Sequence, residues 1–488
     1  MFRILLEKEL RMILLSPKFP ATFGVCSLLL LLSIFTGLRE YNASLRQYDT
    51  LTGLTSQELR EKSTWMSVTT RALRQPDPMQ IFVAGLSNDI GRYSRINAVQ
   101  PVKLVHSVYA DDLLFAVFRF LDFVFIVQVV LSLLAILFTY DSITGEREQG
   151  TLQLTFAHPV PRTTYLGAKL FGAWLGLVIP VAVPVALGLL LVVLSGVPLT
   201  GDHWMRIGGL LGLSLLVFTF FIVFGIAVSA LTRRASVSFL VALVGWLVLV
   251  LIIPRLAVMS AGQLVDVPGA GERERMQAQY ARDRWDEYHQ RIRERWKERE
   301  SSITGTTREE REAQREEKLW DWMQEDDAGR RAVQKDIDAQ AIRLSEDQRN
   351  RQSLRETLAL HLSRLSPVAS YELGSLAVAG TGTGMKSWYE HAMQAYRTVF
   401  NGYIGQKEKE SGGSGGVRIT VDTEKGFSFQ TARERGTLDV SGLPSFAPPA
   451  RRTAEAFAAS LVDTGILAAW VLVTVMLAGI AFIRYDVR

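Results

Sequence analysis

Residues 170–194 read LFGAWLGLVIPVAVPVALGLLLVVL, with no charged side chain between Leu170 and Leu194. As a helix rising about 1.5 Å per residue, this run crosses the roughly 30 Å hydrocarbon core of a bilayer. Pro180 and Pro184 kink such a helix, and membrane helices tolerate them where neighbours satisfy the freed carbonyls. On either side of it stand five more apolar runs. These are Ala21–Leu38, a stretch within Leu113–Tyr140, Ile207–Leu231, Ser236–Ile253 and about Leu461–Ile483. The fold class is therefore mainly α, with six transmembrane helices.

Composition agrees. The 488 residues are 48% hydrophobic and 21% charged. Both hold at once because the two kinds are segregated, with a dense charged stretch between Gly271 and Arg364. The net charge of +5 fits the Lys and Arg excess of cytoplasmic loops better than a nucleic-acid surface, and acidic residues nearly balance basic ones in the charged stretch. The lone Cys26 sits in an apolar run, so neither an intrachain disulfide nor a cysteine metal site exists.

Orientation follows from the short loops. Arg3, Lys8, Arg11 and Lys18 precede the first span. Arg147, Arg162 and Lys169 lie between the second and third, Arg233-Arg234 between the fourth and fifth, and Arg484 and Arg488 after the sixth. Arg206 stands alone among short loops on the other side. The positive-inside rule places both termini in the cytoplasm. The parts are then a cytoplasmic interface helix (1–20), a first span (21–38), an extracytoplasmic segment (39–112), spans two to five (113–259) with a cytoplasmic loop at 141–169, a large extracytoplasmic domain (260–460), and a sixth span with a cytoplasmic tail (461–488). Phe2–Phe19 alternates Ile4, Leu5, Leu6, Leu10, Ile13 and Leu14 with Lys8, Glu9 and Arg11 at helical spacing, the pattern of a helix lying in the membrane interface. A cleaved signal peptide is disfavoured, because the basic region is long and no small-residue cleavage site follows.

The large external domain reads as two long helices, Gly271–Arg299 and Thr307–Leu365, broken near Ser302–Thr307. A Gly-rich region follows (Gly374–Gly384), then a short helix around Trp388–Phe400, a Ser/Gly linker (Ser411–Gly416) and a strand pair over Val417–Phe429. It is a largely helical extracytoplasmic domain with a small β hairpin.

Catalytic patterns are missing. Gly380–Ser387 approaches a phosphate-binding loop, but Met385 stands where the second Gly is needed. The six histidines form no ligand-spaced pair. No metal site, directly bound cofactor or enzymatic activity of its own is expected. Arg119 and Asp122 lie one helical turn apart within the second span, where charges suggest function, and the plainer reading pairs them near its outer end.

The loop after the second span carries Glu146-Arg147-Glu148-Gln149-Gly150-Thr151-Leu152, then Pro159-Val160-Pro161-Arg162, then Lys169 opening the third span. This order and spacing resemble the permeases of the ABC-2-type exporter family. Lys8-Glu9-Leu10-Arg11 with Ser16-Pro17 looks like that family's interface helix. The large insert before the last span looks like its gliding-motility-type branch. The resemblance implies a six-helix permease subunit in the bacterial cytoplasmic (inner) membrane. It implies pairing with a second copy or paralogue and with a separate ABC-type ATPase that binds ATP and Mg. It further implies an ATPase-coupling site of Glu146, Arg147, Glu148, Gly150, Thr151, Leu152, Pro159 and Arg162, beside the interface-helix residues Lys8, Glu9 and Arg11. Glu146, Arg147 and Glu148 are expected to ion-pair across the ATPase contact, with Leu152, Leu154 and Phe156 as apolar anchors. Membrane lipids and a periplasmic partner of the external domain complete the expected partners, and nucleic acid is not among them. Two alternatives stand beside export: an ATP-driven mechanotransmission complex acting on an envelope partner, and a receptor with a helical sensor domain. Substrate identity is not written in six apolar runs.

Overall fold

The first apolar run does not end where the bilayer would. In the computed structural model, which describes residues 1–97, 102, 122–304, 306–410, 417–422, 426–431, 438–448 and 452–483, one helix runs from Lys18 to Arg60. At about 1.5 Å per residue it is roughly twice as long as a hydrocarbon core is thick. No proline interrupts it beyond Pro20, and the helix continues through the polar residues after Arg39, into the segment expected to lie outside the cytoplasm.

Among the described residues, six helices are long and apolar enough to cross a membrane: Lys18–Arg60, Phe123–Glu148, Arg162–Leu194, Gly201–Leu231, Ala235–Leu264 and Thr453–Ile483. They are called spans one to six below. A shorter amphipathic helix, α1 (Phe2–Leu14), precedes them. The third span stays helical through Pro180 and Pro184. Spans two and five each contain a π-helical turn, Ile126–Leu131 and Val248–Ile252. Such turns insert a residue and free a carbonyl from the regular ladder. In the fifth span the Leu249 carbonyl accepts a hydrogen bond from Ser366 Oγ at 2.5 Å.

The chain forms two compact units, one of residues 1–252 with 364–488, the other Ile253–Ser363. This division differs from the expected 260–460 segmentation, in that the helix Pro367–Ala379, just after Arg364, packs with the spans. The Gly-rich stretch forms half of a buried helix. After α2 (Thr144–Glu148) and α3 (Thr151–Phe156) in the loop, and α4 (Ala270–Ser301) and α5 (Arg308–Ser363) in the second unit, comes α6 (Pro367–Ala379). Ser366 caps it by accepting from the Val368 and Ala369 N–H groups at 3.1 and 3.3 Å. Helix α6 packs against spans four and six. Buried Tyr371 meets Ser214 Oγ through its hydroxyl at 3.0 Å. Arg364, just before α6, grips Asp463 of the sixth span with two bonds, of 2.6 and 3.1 Å.

Helix α7 (Gly384–Glu410) is longer than the expected Trp388–Phe400. It shares a small core with an unexpected antiparallel pair, β1 (Thr70–Leu73) and β2 (Tyr93–Ile96), through Ala72, Ile96, Met393 and Phe400. The expected strand pair is present as β3 (Val417–Asp422) and β4 (Gly426–Thr431). The Ser411–Gly416 linker, Arg119, and the basic tail with Arg484 and Arg488 lie outside the described residues.

In the second unit α4 and α5 pair antiparallel, as the break near Ser302–Thr307 implies. The contacts are polar and aromatic. Arg284 meets Asp336 at 2.8 Å, and Tyr288 donates to the Asp326 carbonyl at 2.6 Å. Arg299 lies 5.5 Å from both the Trp296 and Trp322 rings while pairing with Asp326 at 3.1 Å. Exposed ion pairs add little each, while the guanidinium of Arg299 between two indole rings adds a cation–π contact near the turn.

Candidate functional site

The loop 141–161 lies at the end of the bundle where α1 also packs. Its local conformation follows from one glycine. Gly150 has φ of +72°, a left-handed conformation that turns α2 into α3 and that a side chain would strain. Thr151 Oγ1 donates back to the Glu146 carbonyl at 3.2 Å and fastens the turn.

Glu146 faces inward. It is 5% exposed, and both carboxylate oxygens are occupied. Oε1 accepts from Lys8 Nζ of α1 at 2.6 Å and from Lys169 Nζ of the third span at 2.9 Å. Oε2 accepts from the Tyr165 hydroxyl at 2.6 Å. Lys169, only 1% exposed, also pairs with Glu9 of α1 at 2.7 Å. Two cations and two carboxylates thus form a charge-balanced cluster joining α1, the loop and the third span, with Glu9, Glu146 and Lys169 buried and Lys8 partly exposed. Burial raises the Glu9 carboxyl above its ordinary value, against the opposing charge of Lys169. Helix α1 comes this close because the third span presents Gly172. A Cβ there would stand 2.5 Å from Glu9 Cβ.

The same loop is bonded to the other spans. Ile143 and Thr144 donate their N–H groups to Ser229 Oγ of the fourth span at 3.0 and 3.1 Å. Glu148 accepts from the Ala235 N–H at 2.9 Å and caps the fifth span. Arg162, the first residue of the third span, donates to the carbonyls of Phe482 and Ile483 of the sixth span. A cation is favoured near the C-terminal end of a helix. Phe156, Tyr165 and Phe482 cluster with centroids 5.2–6.1 Å apart, Tyr165 stacked on Phe482 and Phe156 tilted against both.

Of the expected site residues, Lys8, Glu9, Glu146 and Arg162 are brought together around the third span, and Glu148 and Thr151 lock the loop. Leu152 is buried and Arg147 half-buried. Arg11 stays outside the cluster and pairs with Glu7 on the exposed face of α1. Glu146 is not placed to reach another chain, and of the three expected apolar anchors only Leu154, 69% exposed, faces outward. Gln153, Ala157, His158 and Pro159 are exposed around it. Asp122 caps the second span, accepting from the Phe125 N–H at 2.9 Å. Sequence reasoning did not single out Tyr165 or Ser229. A lone Lys169 at the mouth of an apolar run was the one available signal that an acidic partner had to lie nearby. No group of three metal-ligating side chains occurs among the described residues.

Six apolar helices held by buried polar contacts define a multi-pass helical membrane protein. The chain belongs to the ABC-2 family of transporter proteins, whose sequence model matches residues 3–487. Comparison with curated proteins gives no match.

Proposed function

We propose that this chain is the permease subunit of an ABC exporter of the inner membrane, driven by a separate ATPase subunit seated on the exposed face of the 141–161 loop. One observation carries the reading: a single loop presents an exposed leucine outward while its buried side is bonded to α1 and to spans three, four and five and sets Phe156 against Phe482 of span six. A push on Leu154 therefore reaches every span whose end borders the loop. The positive-inside rule puts this loop in the cytoplasm, where ATP and Mg would be held by the partner. A second permease copy or paralogue would complete the complex.

The test is purification of the native chain from its own membranes in mild detergent, with mass spectrometry of what accompanies it. An ABC-type ATPase is expected. Leu154→Asp is expected to reduce its recovery about tenfold or more, the effect of losing a central apolar anchor, with the melting temperature unchanged because Leu154 faces solvent. Absence of any ATPase from the native preparation, or equal recovery with the variant, counts against the reading.

A further inference from the structure

Residues 44–51 of the first helix and the loop over 73–92 enclose a small cavity lined by Ser44, Tyr48, Arg74, Gln80, Asn88 and Arg92, among others. It offers about 20 Å³ to the centre of a water-sized sphere. Roughly 10–15 Å³ admits one water, so the space suits one compact polar group with its remainder outside. None of the described residues lining it is acidic.

Two donors on these lining side chains are buried without an acceptor: Arg74 Nε and Gln80 Nε2. The rest of the Arg74 guanidinium is fixed. One nitrogen donates to the Ser87 carbonyl, another lies 3.9 Å from Met385 Sδ, and the group sits 5.9 Å from the Tyr389 ring centroid. Nearby carboxylates are engaged elsewhere. Glu40 accepts from Asn88, and Asp77 accepts from the Met79 N–H and faces Arg206 and His203 at 3.6 and 3.7 Å. Burial, chiefly, and the charge of Arg92 hold the Arg74 guanidinium below its ordinary value. A buried cationic donor with an unmet N–H is costly unless an acceptor arrives.

We propose that this cavity binds a single phosphate group, with Arg74 Nε and Gln80 Nε2 as donors and Arg92 adding positive charge. Ser44 lies about 8 Å along the helix beyond Arg39, where the apolar run ends, and a bilayer's polar layer is about that thick. The phosphate can therefore come from a lipid headgroup or from solution.

The experiment uses the full chain. Inorganic phosphate is titrated into detergent-solubilised protein by calorimetry. Retention of phosphatidylglycerol is read by native mass spectrometry after extraction from nanodiscs of that lipid. Native protein is compared with Arg74→Gln and Gln80→Leu. Phosphate binding weakened about tenfold or more by either variant assigns a soluble ligand, and phosphatidylglycerol retention lost in either variant assigns a headgroup. Both outcomes support the site. Gln80→Leu leaves the structural bonds of Arg74 intact and decides the matter if Arg74→Gln does not fold. Neither probe binding to native protein, or binding unchanged in the folded variants, overturns the proposal.

Discussion

Lys169→Met is expected to destabilise the protein by about 3–5 kcal/mol, the cost of removing one partner from a buried ion pair. Lys169 is all but fully buried and serves two carboxylates. Without it Glu146 keeps Lys8 and Tyr165, whereas Glu9 loses the cation that offsets its burial. The imbalance therefore falls on Glu9, and Lys169→Met with Glu9→Gln is expected to regain most of the loss. That is a non-additivity well beyond the few tenths of a kcal/mol seen for independent sites. Thermal unfolding in detergent, followed for the single variants and the pair, checks this. A double variant no more stable than Lys169→Met would mean the two side chains do not share one electrostatic account.

The second large effect is at Arg364 and Asp463. Arg364→Met removes both hydrogen bonds, whereas Asp463→Asn keeps one acceptor oxygen, and the costs are expected to differ. Asp463 is 2% exposed while the Arg364 side chain is 22% exposed. Asp463→Asn leaves a cation that can turn toward water, at a cost of about 1–3 kcal/mol. Arg364→Met leaves a buried carboxylate without its cation, at about 3–5 kcal/mol. Because Arg364 fixes the start of α6, amide hydrogen exchange in Pro367–Ala379 is expected to quicken more in Arg364→Met than in Asp463→Asn. Equal costs, or unchanged exchange in α6, would contradict a clamping role.

Where structure depends on chain-local physics, the sequence was readable. Apolar runs located the six spans, the Ser302–Thr307 break located the hairpin turn, and alternation located β3 and β4. What it concealed depends on partners distant in the chain. The continuation of the first helix past Arg39 has no local marker, because a polar segment without proline is equally compatible with coil. Residues 70–73 and 93–96 are too short for alternation to register, and they become strands by packing on α7. Gly374 reads as a loop residue, but it lies inside α6, where a Cβ would meet Leu213 and Asp463 at ordinary contact distance. At the site, the acidic-Arg-acidic stretch was visible, yet its division of labour was not. Glu146 and Glu148 are alike in sequence. Only the fold sends one into a buried cluster and the other to the cap of the fifth span.

The central claim is that the exposed side of the loop receives force and the buried side passes it on. Its most direct measurement is ATP hydrolysis by the copurified ATPase subunit in nanodiscs, comparing the native chain with Ser229→Ala. That variant removes the acceptor of the Ile143 and Thr144 N–H groups and leaves Leu154 untouched. The account predicts full recovery of the ATPase subunit with hydrolysis reduced about tenfold. A Ser229→Ala complex that binds the subunit and hydrolyses ATP as fast as the native one would contradict it.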